Sequence, residues 1–282
     1  MKIRIFNCHH DVPAESMVGP LFASLVSGRH DSPDGSYLGD LGGINIAGDN
    51  AYTELRHQYF VWKNLLPAYD YVGFEHYRRM FFIDPMPPAR LEAVQPGMYG
   101  FRRGFHVDAL RSHYDIDPDS YTAHWAMRRA FDEADMLAVE RIIGGHDIIT
   151  QRPLDWPGTL EEQWKSCMPP DRWEPMVESV RRCGYFRDRP CRVDFGLRSA
   201  VWNNMYIMRS SLFDEYMRFL MDCIDDLAAT TEPMHRGWGH HAERIFNFYL
   251  FQKQMEQPTL RVGRLPYLLR SALYTEALPN RL

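Results

Sequence analysis

Two short runs of this 282-residue chain gather side chains that bind polar ligands. The first holds Asp49, Asn50 and Glu54, and the second holds His76, Arg78 and Arg79. Carboxylates and amides hydrogen-bond hydroxyl groups, whereas the planar arginine fork matches phosphate oxygens. Each group also has a plainer use. Asp49 or Asn50 suits a helix N-cap, Glu54 a solvated helix face, and Arg78 and Arg79 surface ion pairs of small energetic weight.

Other candidates are scattered. His9-His10 and His240-His241 could supply metal ligands, but neither pair has the His-x-x-x-His spacing that puts two imidazoles on one helix face. Asp115-Ile116-Asp117 is a carboxylate pair that follows no apolar strand. Asp117 fits an N-cap with Pro118 in the first helical position and Asp119 favoured by the helix dipole. Asp115 and Asp117 are the remaining metal candidates. Trp156, Trp164, Trp173 and Trp238 could stack on sugar rings, although core packing is the commoner fate of tryptophan.

The elements that must position these groups alternate. Ile3 to Cys8 reads as a first strand ending at His9-His10. Residues 27 to 50 are rich in Gly, Asp and Ser and read as a long loop. From Ala51 to Leu66, Tyr52, Leu55, Tyr59, Trp62 and Leu66 recur at helical spacing, and Pro67 ends the run. Asp70 to Tyr77 reads as a strand, small or apolar on both faces in its first half, as in a sheet covered on each side. Its alternation puts Val72, Phe74, His76 and Arg78 on one face, with the polar residues at the carboxyl end, where open α/β sheets bind ligands. Residues 84 to 99 form a proline-rich loop. Ser120 to Arg141 is helical in pattern, His146 to Thr150 a short strand, and residues 151 to 200 alternate loops and short helices. Val201 to Met208 reads as a strand, and Leu212 to Leu227 and Ala242 to Met255 as helices. The expectation is one α/β domain over residues 1–282 with helical and loop insertions. Its nucleotide-binding half spans about 1–150 and its acceptor half about 151–282.

Composition excludes several classes. Net charge is −5, so there is no basic field for nucleic acid, and the pair Arg102-Arg103 does not create one. Five scattered cysteines without a Cys-x-x-Cys pair point away from a thiolate zinc site and from a disulfide scaffold. A reducing cytoplasm follows as the expected location. The start, Met1-Lys2-Ile3-Arg4-Ile5-Phe6, lacks the pattern of a signal peptide. No window carries the roughly 18 apolar residues of a membrane span, which leaves peripheral membrane association open.

Asp49-Asn50-Ala51-Tyr52-Thr53-Glu54, Trp62-Lys63-Asn64 and Asp70-Tyr71-Val72-Gly73-Phe74-Glu75-His76-Tyr77-Arg78-Arg79 together resemble the hallmark of a bacterial family, domain of unknown function 4422, found in capsule and exopolysaccharide gene clusters. The likeness continues at Asp147-Ile148-Ile149, at Asn203-Asn204-Met205-Tyr206-Ile207-Met208 and at Glu243-Arg244-Ile245-Phe246-Asn247. The resemblance implies a Rossmann-related, GT-A-like fold with a mixed, mainly parallel sheet. It further implies a glycosyltransferase that takes a sugar from a nucleotide-sugar donor, a UDP-sugar above all, to a glycan or lipid-linked glycan acceptor.

In that setting His9, Asp49, Asn50, Glu54, His76, Arg78, Arg79 and Asn204 are the donor-site candidates. Glu243, at the expected start of the last helix, is the candidate base; dipole stabilisation is its alternative. Asn203 and Asn204 also suit a simple bend. Many GT-A enzymes hold Mg2+ or Mn2+ with an Asp-x-Asp pair after this strand. Glu75-His76-Tyr77 stands there instead, so cationic side chains are favoured for the departing diphosphate. Two rivals remain: a metal-dependent glycan or phosphoester hydrolase, suggested by twelve histidines, and a non-catalytic carbohydrate-binding protein of the same fold.

Overall fold

A computed structural model describes residues 1–48, 50–83, 85, 113–116, 118–232 and 236–270. Strands in chain order are β1 (Ile3–His9), β2 (Phe22–Val26), β3 (Leu38–Gly39), β4 (Tyr71–His76), β5 (Arg79–Phe81), β6 (His113–Ile116), β7 (Ile148–Thr150), β8 (Leu154–Asp155), β9 (Ser199–Ala200), β10 (Tyr206–Arg209), β11 (Val262–Arg264) and β12 (Tyr267–Arg270). The α-helices are α1 (Leu55–Phe60), α2 (Pro118–Met127), α3 (Glu133–Gly144), α4 (Leu160–Cys167), α5 (Trp173–Arg182), α6 (Ser210–Ala228) and α7 (Gly237–Glu256).

The main sheet runs β11-β7-β10-β4-β1-β2-β3, with β5 joined to β4, β12 to β5 and β6 to β12. β1 pairs in parallel with both β2 and β4, β2 with β3 and β7 with β11. β10 lies antiparallel between β4 and β7. The chain thus proceeds from β1 to one side through β2 and β3, then returns to place β4 on the other. That reversal is a topological switch point, where open α/β sheets form a crevice beyond the strand ends.

Strand alternation divides the interior. Phe6, Cys8, Val72 and Phe74 face a core shared with Leu55, Val61, Trp164, Met176, Phe213 and Phe246. Ile3, Ile5 and Tyr71 face a second core with Phe81, Tyr121, Trp125 and Ile143. Both faces are therefore covered, as the apolar strands require. Gly73 sits at mid-strand because a Cβ there would press on Ile5 and Ile207 from the flanking strands.

Several elements differ from the sequence reading. The segment from Ala51 to Leu66 is not one helix. It is a 3-10 turn (Asn50–Tyr52), then α1, a π-type turn (Val61–Leu65) and a 3-10 turn holding Pro67 (Leu66–Ala68). The break falls at Thr53, whose φ of 48° is left-handed. Glu54, not Asp49 or Asn50, occupies the N-cap position of α1, and its side chain makes no cap bond.

β2 carries five buried residues without alternation, and the sequence reading gave it no element. Ser120 to Arg141 is two helices, because Asp132 and Asp135 form a capping box that starts α3 afresh. The strand expected from Val201 begins only at Tyr206, and the last helix begins at Gly237, five residues before Ala242. Residues 86–99, Arg102, Arg103, Asp49 and Asp117 lie outside the described residues, as do the side chains of Asn50 and Asp115. Among the described residues no helix is long and apolar enough to cross a membrane.

Candidate functional site

β1 and β4 end side by side, with Cys8 paired to His76. The Asn7 amide and the Tyr121 hydroxyl both donate to the His76 carbonyl, at 3.1 and 3.3 Å. The backbone at the end of β4 is therefore held from two elements. The His76 ring lies 3.9 Å from the Glu54 carboxylate. Glu54 accepts a hydrogen bond from the Asn204 amide at 3.1 Å, and that amide also donates to the Gly239 carbonyl. Gln58 secures the turn by donating to the Asn204 carbonyl at 3.0 Å.

Beside them, one Glu243 oxygen accepts the Asn203 backbone N–H at 2.9 Å. Its other oxygen accepts from Arg244 at 2.8 Å and lies 3.9 Å from His240. Arg244 in turn donates to Gln163 at 2.6 Å.

Local sequence explains the convergence. Asn203 and Asn204 have φ of 69° and 48°, conformations that asparagine tolerates better than most residues because its short polar side chain bonds locally. The turn reading of these two residues holds, and the same turn brings the Asn204 amide to Glu54. Gly239 lies inside α7 despite glycine's poor helix propensity. A Cβ at that position would collide with the Thr53 hydroxyl, so glycine lets α7 close on the segment that carries Glu54.

Burial governs the protonation states. Burial alone would raise the Glu54 pKa, but the adjacent His76 ring and the Asn204 amide hold it down to about 2. Burial lowers His76 to about 4 against the pull of Glu54. In this pair Glu54 is the anion at neutral pH and His76 is neutral. His9 is likewise lowered to about 4 by burial, with His10 adding to the effect. His10 is lowered by burial first and then by Arg236, with Arg78 a further contributor. Arg79 depresses His76 in the same way. At the ends of β1 and β4, Arg236 and Arg78 act on His10 and Arg79 on His76, and Glu54 opposes them at both rings.

A conventional metal site does not fit the end of β4. Glu75, where an acidic ligand would be sought, is fully buried and turns to the face opposite His76. Arg128 grips both of its oxygens, at 2.7 and 2.9 Å, and the Phe81 N–H takes one of them at 2.8 Å. Among the described residues no group of three or more His, Cys, Asp or Glu converges as metal ligands.

The structure gathers Glu54, His76, Asn203, Asn204 and Glu243 from four separate segments and brings His240 to the rim. It separates others. His241 is core, packed between Trp164 and Trp238 with its Nδ1 on the Gly237 carbonyl. That contradicts the pairing of His240 and His241 as metal ligands. Trp164, Trp173 and Trp238 are buried and only Trp156 is exposed, which removes the aromatic platform. Glu243 lies in the second turn of α7 rather than at its start, so dipole stabilisation no longer accounts for it. Arg128, Gln163 and Arg244 were missed. Neighbouring arginines such as Arg128 and Arg129 look alike in sequence, and only packing decides which one is buried.

His241 makes the acid response testable. Burial lowers its pKa to about 4, against a raising contribution from the Gly237 carbonyl. The unfolded chain takes up this proton near pH 6.5, so protons favour unfolding as pH falls from 7 towards 4. At pH 5 the expected cost is about 2 kcal/mol. Urea unfolding at pH 7 and pH 5 measures it, and His241→Phe should lose this part of the pH dependence; an unchanged dependence in the variant contradicts the assignment.

A 3-2-1-4 strand order, an antiparallel β10 inserted beyond it and a polar cluster at the switch point define a Rossmann-related, GT-A-like α/β protein. The chain belongs to the family described as domain of unknown function 4422, which it matches over residues 4–254. Its fold is similar to the solved apo structure of WbbM, a bifunctional glycosyltransferase, with a TM-score of 0.71 and 22% sequence identity. The match covers 96% of this chain and 46% of that one, so the chain spans about half of the WbbM chain. No curated protein matches it.

Proposed function

We propose that the chain is a glycosyltransferase that moves a sugar from a nucleotide-sugar donor, with uridine diphosphate as the expected leaving group, to a glycan or lipid-linked glycan acceptor in polysaccharide synthesis. The observation that carries this reading is the meeting of Glu54, His76, Asn204 and Glu243 at the switch point, with Arg79 near enough to act on His76 and Arg78 and Arg236 on the neighbouring His10. The fold shared with a glycosyltransferase supports it. So does a donor region whose cations can take up charge developing on the diphosphate.

In the transfer, the acceptor oxygen bonds to the anomeric carbon as the bond to the diphosphate breaks, and the diphosphate leaves with the electron pair. The acceptor's proton passes to the Glu243 carboxylate. Glu54 is the poorer base because its pKa is held near 2; it anchors sugar hydroxyls together with Asn204. His76 is neutral and donates or accepts one hydrogen bond. Asp49, Asn50 and His9 complete the proposed donor contacts. The five cysteines are all unpaired, which agrees with action in the cytoplasm.

Calorimetric titration with UDP and a panel of sugar nucleotides tests the reading. Micromolar to millimolar binding of at least one, with slow release of free sugar, is expected. Binding of a stoichiometric metal with no nucleotide affinity would favour the hydrolase instead. Glycan binding without donor turnover would favour a carbohydrate-binding protein.

A further inference from the structure

Trp62-Lys63-Asn64 is one of the hallmark blocks of the sequence, yet none of its residues takes part in the transfer described above. The block lies in the π-type turn that follows α1. Its first two residues fasten that turn to neighbouring helices. The Trp62 indole N–H donates to Asp214 of α6 at 2.7 Å, and the Lys63 ammonium lies over the Trp62 ring at 3.3 Å.

Asn64 serves a different partner. Its Oδ1 accepts the Ile44 N–H at 2.9 Å, and its Nδ2 donates to the Ile44 and Phe60 carbonyls, each at 2.8 Å. One side chain thus pairs with both backbone groups of Ile44. Among side chains only a carboxamide supplies an acceptor and two donors in one plane. Gly43 makes room for it: its φ is 57°, and a Cβ there would collide with the Asn64 Oδ1. Ile44 is 58% exposed, so burial of its side chain does not explain where this loop lies. The backbone pairing with Asn64 does.

That pairing closes a loop around the candidate site. Residues 45–63 lie between the two partners and include Glu54, whose carboxylate meets Asn204 and His76. A second tie precedes it. Arg56 donates to the fully buried Asp40 at 2.8 Å, and Asp40 also accepts the Gly28 N–H at 2.6 Å. Asp40 anchors the start of the stretch, and Asn64 holds the part that runs on in sequence to Asp49 and Asn50.

We propose that Asn64 is a positioning residue of the donor site, which holds residues 41–48 against the segment carrying Glu54 before the donor arrives. The proposal rests on the transferase reading, in which Asp49, Asn50 and Glu54 meet the donor. A donor that must first order a loose loop binds more weakly, in proportion to the fraction of time the loop is out of place.

Asn64→Asp keeps the size of the side chain and the acceptor for the Ile44 N–H, but sets a carboxylate oxygen against two carbonyls. Amide hydrogen exchange at residues 41–48 should quicken about tenfold, and UDP affinity measured by calorimetry should fall about tenfold. Trp62→Phe is the comparison: it removes the bond to Asp214 and leaves the Ile44 pairing. It should shift urea unfolding while loop exchange and UDP affinity hold. Unchanged loop exchange in Asn64→Asp, unchanged UDP affinity in that variant of a protein that binds UDP, or equal losses in Trp62→Phe would overturn the proposal. A protein without UDP affinity whose loop exchange quickens in Asn64→Asp alone would uphold the hold on the loop and refute the transferase reading.

Discussion

Glu243→Gln is expected to lower sugar transfer by about 10²–10⁴-fold, the usual contribution of a positioned general base. The variant is informative because it keeps the length and shape of the side chain. The glutamine carbonyl oxygen can still accept the Asn203 N–H now held at 2.9 Å, whereas the amide nitrogen that replaces the other oxygen gives up the Arg244 bond now held at 2.8 Å. The turn that carries Asn204 should therefore keep its shape. What is lost is the negative charge and the capacity to take a proton. Transfer is measured as UDP release in the presence of acceptor, and donor affinity by titration. Reduced turnover with unchanged UDP affinity is the expected split, because the base acts on the acceptor hydroxyl. Full activity in Glu243→Gln removes Glu243 as the base.

Arg128→Met is expected to destabilise the fold by about 3–5 kcal/mol, the range for breaking a buried ion pair from one side. Both partners are fully buried, and Arg128 reaches both Glu75 oxygens and the Phe81 carbonyl. Its guanidinium also lies over the Phe22 ring at 4.0 Å, so packing is lost with the charge. Methionine leaves Glu75 as an unpaired anion in an apolar core, and that residual charge accounts for most of the cost. Adding Glu75→Gln to Arg128→Met should recover about 2 kcal/mol, because the stranded charge is then gone while a carbonyl oxygen remains for the Phe81 N–H. Urea unfolding of the two single variants and the double variant closes the cycle. A loss below about 1 kcal/mol in Arg128→Met would show that the pair contributes little. The pair ties β4 to β5 and so sets the turn that carries Tyr77 and Arg78. UDP affinity in folded Arg128→Met reports that second effect.

The sequence by itself determined the α/β class, the family and two of the segments that meet at the candidate site. β1, β4, α6 and most of α7 were readable because apolar periodicity and local turn chemistry act over a few neighbouring residues. His76 could be named as a candidate because strand alternation fixes which face a residue at the end of a strand takes, and Glu54 because helical spacing places it near Asn50. The break at Thr53 was not readable, since a left-handed threonine is imposed by the packing of α7 through Gly239 and not by local preference.

Only the tertiary structure decided what each charged group does. Glu75 and Glu54 are both acidic residues next to expected ligand-binding elements. Glu75 faces Arg128 in the second core, and Glu54 faces Asn204 and His76 at the strand ends. His240 and His241 are adjacent in sequence, yet one reaches the rim and the other lies between two tryptophans. The physical reason is common to both cases. Charge and hydrogen-bonding capacity belong to the residue, but burial and partners come from segments up to 150 positions away. Those long-range contacts set whether a group is an anchor, a base or part of the core.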